Sequence, residues 1–234
     1  MKKLQISPNR RAFLRTAAAG APAAAVLAGA GALSPIAVIA RAEPAAPYRP
    51  TFFDSQTFGL LTALVDTLIP ADDVGPGAVQ AGVAEFIDRQ MDTPYGRGDL
   101  WYMQGPHHPE ADAVFGYQLP YPPRDIYRKA LQNFDAAVRD AFGKRFEELD
   151  AAARIDAVTR LEKGALHLPD VPADAFFGQL IENVREGYFC DPVHGGNKDM
   201  AAWRMVGFPG ARADYYDWVD QYGKHYPLPP VSRT

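Results

Sequence analysis

From residue 54 to residue 186 the apolar residues of this chain recur at steps of three and four, the period of an amphipathic helix, and two-residue alternation is absent. Phe58, Leu61, Leu64, Val65, Leu68 and Ile69 form the first stripe, which Asp54 or Ser55 can cap and Pro70 stops. After the turn Asp72-Asp73-Val74-Gly75-Pro76-Gly77, the residues Val79, Val83, Phe86 and Ile87 give a second face that ends near Asp92. Ile126, Ala130, Phe134, Val138 and Phe142 follow at four-residue steps, Ala137 and Ala141 widen that stripe, and Gly143 closes the helix. Asp150 can cap a fourth helix with Ile155, Val158 and Leu161 inward and Gly164 at its end. A fifth runs from about Pro172 to Glu186 with Phe176, Phe177, Leu180, Ile181 and Val184. The pattern predicts an all-α fold, an irregular helical bundle.

Two stretches break the rhythm, so the bundle carries long loops rich in Pro, Gly and aromatic residues. Residues 93–123 hold Trp101, Tyr102, His107, Phe115, Tyr117 and Tyr121 among Gly and Pro and have no period of either kind. A loop of about 30 residues is uncommon in a compact domain unless it binds something. The second stretch, after the fifth helix, reads Gly187-Tyr188-Phe189-Cys190-Asp191-Pro192-Val193-His194-Gly195-Gly196-Asn197 and continues through Trp203 to Gly207-Phe208-Pro209-Gly210. There Pro192 fixes the approach, Gly195 and Gly196 permit positive φ, and Asn197 can hold a turn or cap a helix that begins near Lys198.

Charge divides the chain. The first 42 residues carry Lys2, Lys3, Arg10, Arg11, Arg15 and Arg41 and no acidic residue; without them the formal net charge moves from −4 to −10. An acidic body repels phosphate, which argues against nucleic acid as a partner and against an anion cradle at the glycines. Asn9-Arg10-Arg11-Ala12-Phe13-Leu14-Arg15 resembles a twin-arginine export signal. An uncharged but only mildly apolar stretch follows it, and Ala40-Arg41-Ala42 places small residues at −3 and −1 of a cleavage site. The expected organisation is a signal over 1–42, an extended lead-in over 43–53, and one helical domain over 54–234. The expected destination is the periplasm, with membrane association only through a complex.

Candidate chemistry is sparse. The sequence has no Gly-x-Gly-x-x-Gly after a strand, no Cys-x-x-Cys-His, no cysteine cluster and no Walker loop, so no cofactor is expected in this chain. Twin-arginine export moves proteins already folded, often around a cofactor, which places the cofactor in a companion polypeptide. Cys190, Asp191 and His194 form the one cluster that can be drawn as catalytic, a thiol beside an imidazole with a carboxylate to orient the ring. Three mixed ligands without a fourth make a poor zinc site. An unpaired cysteine in an exported protein is either a buried free thiol or one half of an intersubunit disulfide, and both readings of Cys190 stay open. His107-His108-Pro109-Glu110 reads as surface or interface, because adjacent residues in a Pro-broken loop do not readily share one ion.

The run Glu186-Gly187-Tyr188-Phe189, then Asp191-Pro192 and Gly195-Gly196-Asn197, with Trp203 and Gly207-Phe208-Pro209-Gly210 behind it, resembles the gluconate 2-dehydrogenase subunit 3 family. Similar stretches are residues 60–70 followed by Asp72, Gly105-Pro106-His107, and Phe115-Gly116-Tyr117-Gln118-Leu119-Pro120. The resemblance implies a small non-catalytic subunit of an FAD-dependent alcohol or sugar dehydrogenase, with FAD in the large subunit and often haem c in a third. In such complexes the small subunit supplies the export signal, which engages the twin-arginine machinery, and helps the flavoprotein mature. Docking then falls to the loops, with Trp101, Tyr102, His107, Phe115, Tyr117, Tyr188, Cys190, Asp191, Gly195, Gly196, Asn197 and Trp203 as candidates. The competing expectations are an independent periplasmic enzyme built on Cys190 and His194, and a free-standing helical binding module.

Overall fold

A computed structural model describes residues 48–233, and every helix predicted from the stripes is present. The export residues Arg10, Arg11, Phe13 and Leu14, the cleavage residues Ala40 and Ala42, and the first part of the lead-in lie outside the described residues. Among the described residues there is no β-strand, only an isolated bridge between Gly210 and Val231, and no helix is long and apolar enough to cross a membrane.

Helix α1 (Ser55–Leu68) starts where Asp54 accepts hydrogen bonds from the backbone of Gln56 and Thr57, the ordinary way of satisfying orphan N–H groups at a helix start. It buries Leu60, Leu61, Ala63, Leu64 and Val65. Helix α2 (Val83–Met91) begins later than its stripe suggests. Gly82 adopts a left-handed conformation with φ +77° and interrupts the rod, so Val79 lies in the preceding turn and is exposed while Val83, Phe86 and Ile87 are buried. Helix α3 (Pro123–Phe142) has proline at its first position, where the missing N–H is harmless, and ends at the left-handed Gly143. Ile126, Ala130, Phe134 and Val138 are buried as predicted; Ala141, the last residue but one of the helix, is exposed.

Helix α4 (Ala151–Glu162) is capped by Asp150, whose carboxylate accepts from Ala153 N–H. Its buried face is Ala157, Val158 and Leu161; Ile155, expected inward, is exposed because at 100° per residue it stands about 110° from the centre of that face. Helix α5 (Ala173–Phe189) runs three residues beyond the predicted end and buries Phe176, Leu180, Val184 and Tyr188. A short helix α6 (Ala201–Val206) follows the glycine loop.

Helices α1 and α5 each pack against α2, α3 and α4, which gives the bundle one core. Its centre is aromatic: Tyr127, Phe134, Phe146 and Phe176 are fully buried, with Tyr127 edge-on to Phe176 at 5.8 Å and Phe134 against Phe146 at 5.3 Å.

The described part of the lead-in, residues 48–53, is fastened to the bundle. Asp88 of α2, with no exposed surface, accepts hydrogen bonds from Tyr48 Oη (2.7 Å), Thr51 N–H (2.7 Å), Phe52 N–H (3.2 Å) and Phe53 N–H (2.9 Å). A carboxylate can be buried without a cation when this many donors converge on it. Burial and the bond to Asp88 push the Tyr48 phenol up to about 12.

Candidate functional site

Residues 93–122 are irregular, as predicted, apart from one short turn of 3-10 helix at Ala113–Phe115, and they are held to the bundle through a buried polar node. Asn183 of α5 uses all four hydrogen-bonding valences of its amide. Its Oδ1 accepts from Tyr127 Oη (3.1 Å) and Gln179 Nε2 (3.0 Å), and its Nδ2 donates to Tyr95 Oη (2.8 Å) and Glu186 Oε2 (2.9 Å). Tyr95 also accepts from Gln179, and burial holds its phenol above the ordinary value.

Trp101 stands edge-on to Tyr95 at 6.1 Å, and Tyr117 packs on Trp101 at 4.9 Å and donates to the Tyr121 carbonyl. The chain of rings therefore runs from a fully satisfied amide in the bundle out to the loop. Beyond it the loop turns apolar groups to solvent: Leu100, Tyr102, Val114 and Phe115 are 70–82% exposed. Trp101, Tyr102, Phe115, Tyr117 and Gln118 line an open concavity of about 420 Å3. Exposed Tyr and Phe held on a rigid support are what protein interfaces use as anchors, because little ordering entropy remains to be lost on binding. His107 is half-buried beside Gly105, and the exposed His108 pairs with Glu110 at 3.2 Å.

The 187–210 segment is organised differently: most of it is turned into its own chain. Asn197 is fully buried with φ +42°. Its N–H donates to the Gly187 carbonyl (2.9 Å), its Nδ2 to the Cys190 carbonyl (2.9 Å), and its Oδ1 accepts from Ala202 N–H (3.0 Å) at the start of α6. Gly196 is required here, since a Cβ would lie 2.1 Å from the Gly187 carbonyl oxygen. Lys198 ties the loop to α2, donating its N–H to the Ala81 carbonyl (3.1 Å) and its Nζ to Glu85 (2.6 Å), which also pairs with Arg89.

Tyr188 is buried and donates to the Pro76 carbonyl (2.6 Å), fixing the 72–77 turn. Trp203 is buried and donates to the Phe189 carbonyl (2.7 Å). Of the interface candidates in this segment, Tyr188, Gly196, Asn197 and Trp203 therefore point into the bundle. Asp191, Gly195 and Cys190 are half-buried.

The Cys190, Asp191 and His194 cluster is not assembled as a nucleophile. Burial pushes the Cys190 thiol up to about 11, with the neighbouring Asp191 charge adding to the rise, so the sulfur is a thiol at neutral pH. Its Sγ approaches the Gly187 carbonyl at 3.5 Å. Asp191 accepts from Ser232 Oγ (2.6 Å), Arg233 N–H (2.9 Å) and Val193 N–H (3.1 Å) instead of orienting an imidazole. Burial alone would raise the Asp191 carboxyl, but these donors outweigh it and hold it below the usual range. Among the described residues no group of three or more His, Cys, Asp or Glu side chains is placed to hold a metal ion.

Sequence reasoning missed Asp88 and Asn183. The available signal was a polar residue at a buried helical position, Asp88 beside Ile87 and Asn183 beside Val184. The family model described as gluconate 2-dehydrogenase subunit 3 matches residues 55–210, which span α1 to α6 together with both loops. No curated protein and no solved structure matches the chain.

Proposed function

Because the chain belongs to the gluconate 2-dehydrogenase subunit 3 family, a family of subunits of dehydrogenase complexes, we propose that it is the non-catalytic small subunit of an FAD-dependent alcohol or sugar dehydrogenase. In this reading the flavoprotein holds the FAD and oxidises the substrate, and a cytochrome c subunit accepts the electrons where one is present. This chain docks on the flavoprotein, stabilises it, and takes it to the periplasm through the twin-arginine signal at Arg10 and Arg11.

The observation that carries the reading is the contrast between the two loops. The family-like glycine loop is spent on internal fastening, while the 93–122 loop presents exposed aromatic and aliphatic side chains from a rigid base. A subunit that works by presenting a surface needs that arrangement. The enzyme alternative is less well supported, since Asp191 is engaged by Ser232, Arg233 and Val193 and Cys190 is half-buried against the Gly187 carbonyl.

Purification of the mature chain alone and together with its flavoprotein tests the proposal. The expected result is no flavin absorbance and no turnover of sugars or sugar acids by the isolated chain, with flavin and activity recovered only in the co-purified complex. Turnover by the isolated chain, or a flavoprotein that never co-purifies, would overturn it.

A further inference from the structure

The family match stops at Gly210, yet the chain continues for 24 residues beyond it. Residues 211–230 form a closed excursion whose two ends are pinned at one place. Ala211 N–H donates to the Val231 carbonyl (2.7 Å) and Val231 N–H to the Pro209 carbonyl (3.2 Å). Immediately after, Ser232 and Arg233 bind the two oxygens of Asp191. Inside the excursion Tyr226 packs between Tyr215 (6.0 Å) and Trp218 (5.1 Å) with the Arg212 guanidinium over its ring, and Tyr215 Oη donates to the Gly210 carbonyl (2.6 Å). An appended segment with its own aromatic cluster and two tied ends is a built element, not a trailing terminus.

Its outer face is distinctive. Tyr216 and Tyr222 are 85% and 88% exposed, and Val219 is exposed between them. Asp214, Asp217 and Asp220 interleave with these at the same three-residue step; the flanking cations are spent within the segment, Arg212 over the Tyr226 ring and Lys224 on Gln221. Beside the tip, Tyr215, Trp218, Val219 and Tyr226, with Lys224 and His225 at one side, help line a concavity of about 550 Å3, large enough for an anchor side chain.

The charges select the occupant. A second copy meeting this face through two-fold symmetry would oppose six carboxylates with only the two Lys224 ammonium groups beside them, and anionic lipid or nucleic acid would be repelled. A protein surface that sets Lys or Arg around an apolar patch satisfies both features, the tyrosines giving contact area and the carboxylates steering the approach. We propose that residues 211–230, beyond the residues the family model matches, are a second docking element, which seats on a basic-rimmed apolar patch of the flavoprotein subunit. The proposal rests on the small-subunit reading.

The test recombines the purified full chain with the flavoprotein subunit that co-purifies with it and measures Kd at about 50 and about 500 mM NaCl. Two variants are compared with the wild type, D214N/D217N/D220N and Y216A/Y222A. All five side chains are solvent-facing and outside the core, and circular dichroism with Trp fluorescence verifies the fold. The expected result is a Kd about 10-fold weaker for the Asn variant at low salt and within about 2-fold of wild type at high salt. The Tyr variant is expected to be weaker by about 10-fold or more at both.

Wild-type affinity in either variant at low salt overturns the proposal while leaving the small-subunit reading intact. Loss of self-association in the isolated chain on Y216A/Y222A, seen by sedimentation, overturns it in favour of a self-interface. A wild-type chain that binds no flavoprotein overturns both readings together.

Discussion

Replacing Asn183 by leucine probes the support of the 93–122 loop, and its cost can be worked from the four partners. Tyr127 is fully buried and its hydroxyl donates to Asn183; in the variant it keeps no protein partner and meets no water. An orphaned buried hydroxyl costs about 1–3 kcal/mol. The groups on Tyr95, Gln179 and Glu186 are part-buried and can turn to water, so each loses about 0.5–1 kcal/mol of net hydrogen bonding. The leucine adds apolar burial that offsets part of this, leaving a destabilisation of about 3 kcal/mol.

For a body of this size that lowers Tm by about 6–12 °C. Tyr127→Phe alone removes the donor without orphaning a charged group and should cost about 1 kcal/mol. In the double variant Asn183→Leu/Tyr127→Phe the orphan disappears, so the pair should be less destabilised than the sum of its parts by at least about 1 kcal/mol. Urea unfolding of the mature chain followed by circular dichroism measures all three. An Asn183→Leu cost below about 1 kcal/mol, or strict additivity in the double variant, would refute the node as the loop's support.

Asp88 and Cys190 give two further expected outcomes. Asp88→Ala removes the acceptor for four donors of the lead-in and leaves the buried Phe53 N–H unpaired. Stability should fall by about 3 kcal/mol and proteases should gain access to residues 48–53, and an unchanged digestion pattern would contradict the clamp. With the Cys190 thiol near 11 against an ordinary value of 9.0, its thiolate fraction at pH 8 is about 100-fold lower than that of an unhindered cysteine. Iodoacetamide labelling should be slower in proportion and should still climb tenfold per pH unit through pH 10, where a plateau near pH 9 would show an ordinary thiol.

The helices were legible because each carries an apolar stripe bounded by a capping Asp, a Pro or a Gly, and those signals act within a few residues. The misplacements have local causes. Val79 was separated from its stripe by the left-handed Gly82, a φ choice that the apolar spacing does not reveal. Ile155 satisfied the three-residue step to Val158 but not the rotation of the face that Ala157 and Leu161 define.

The long loop was legible as irregular and aromatic, though not which rings face in. Trp101 and Tyr95 pack toward the bundle while Tyr102 and Phe115 face out, a division set by Asn183, 88 residues away from Tyr95 in sequence. The glycine loop was legible as rigid. Its inward orientation depends on partners in α2 and in the C-terminal segment, which no local pattern encodes.

In the proposed function this chain escorts and supports a catalytic partner. The most direct test of that role replaces Arg10 and Arg11 by lysine in the full chain and follows the flavoprotein subunit by cell fractionation. If escort is the role, the flavoprotein stays in the cytoplasm with its flavin bound, and dehydrogenase activity disappears from the periplasmic fraction. A flavoprotein that reaches the periplasm in wild-type amount without the twin arginines would contradict it.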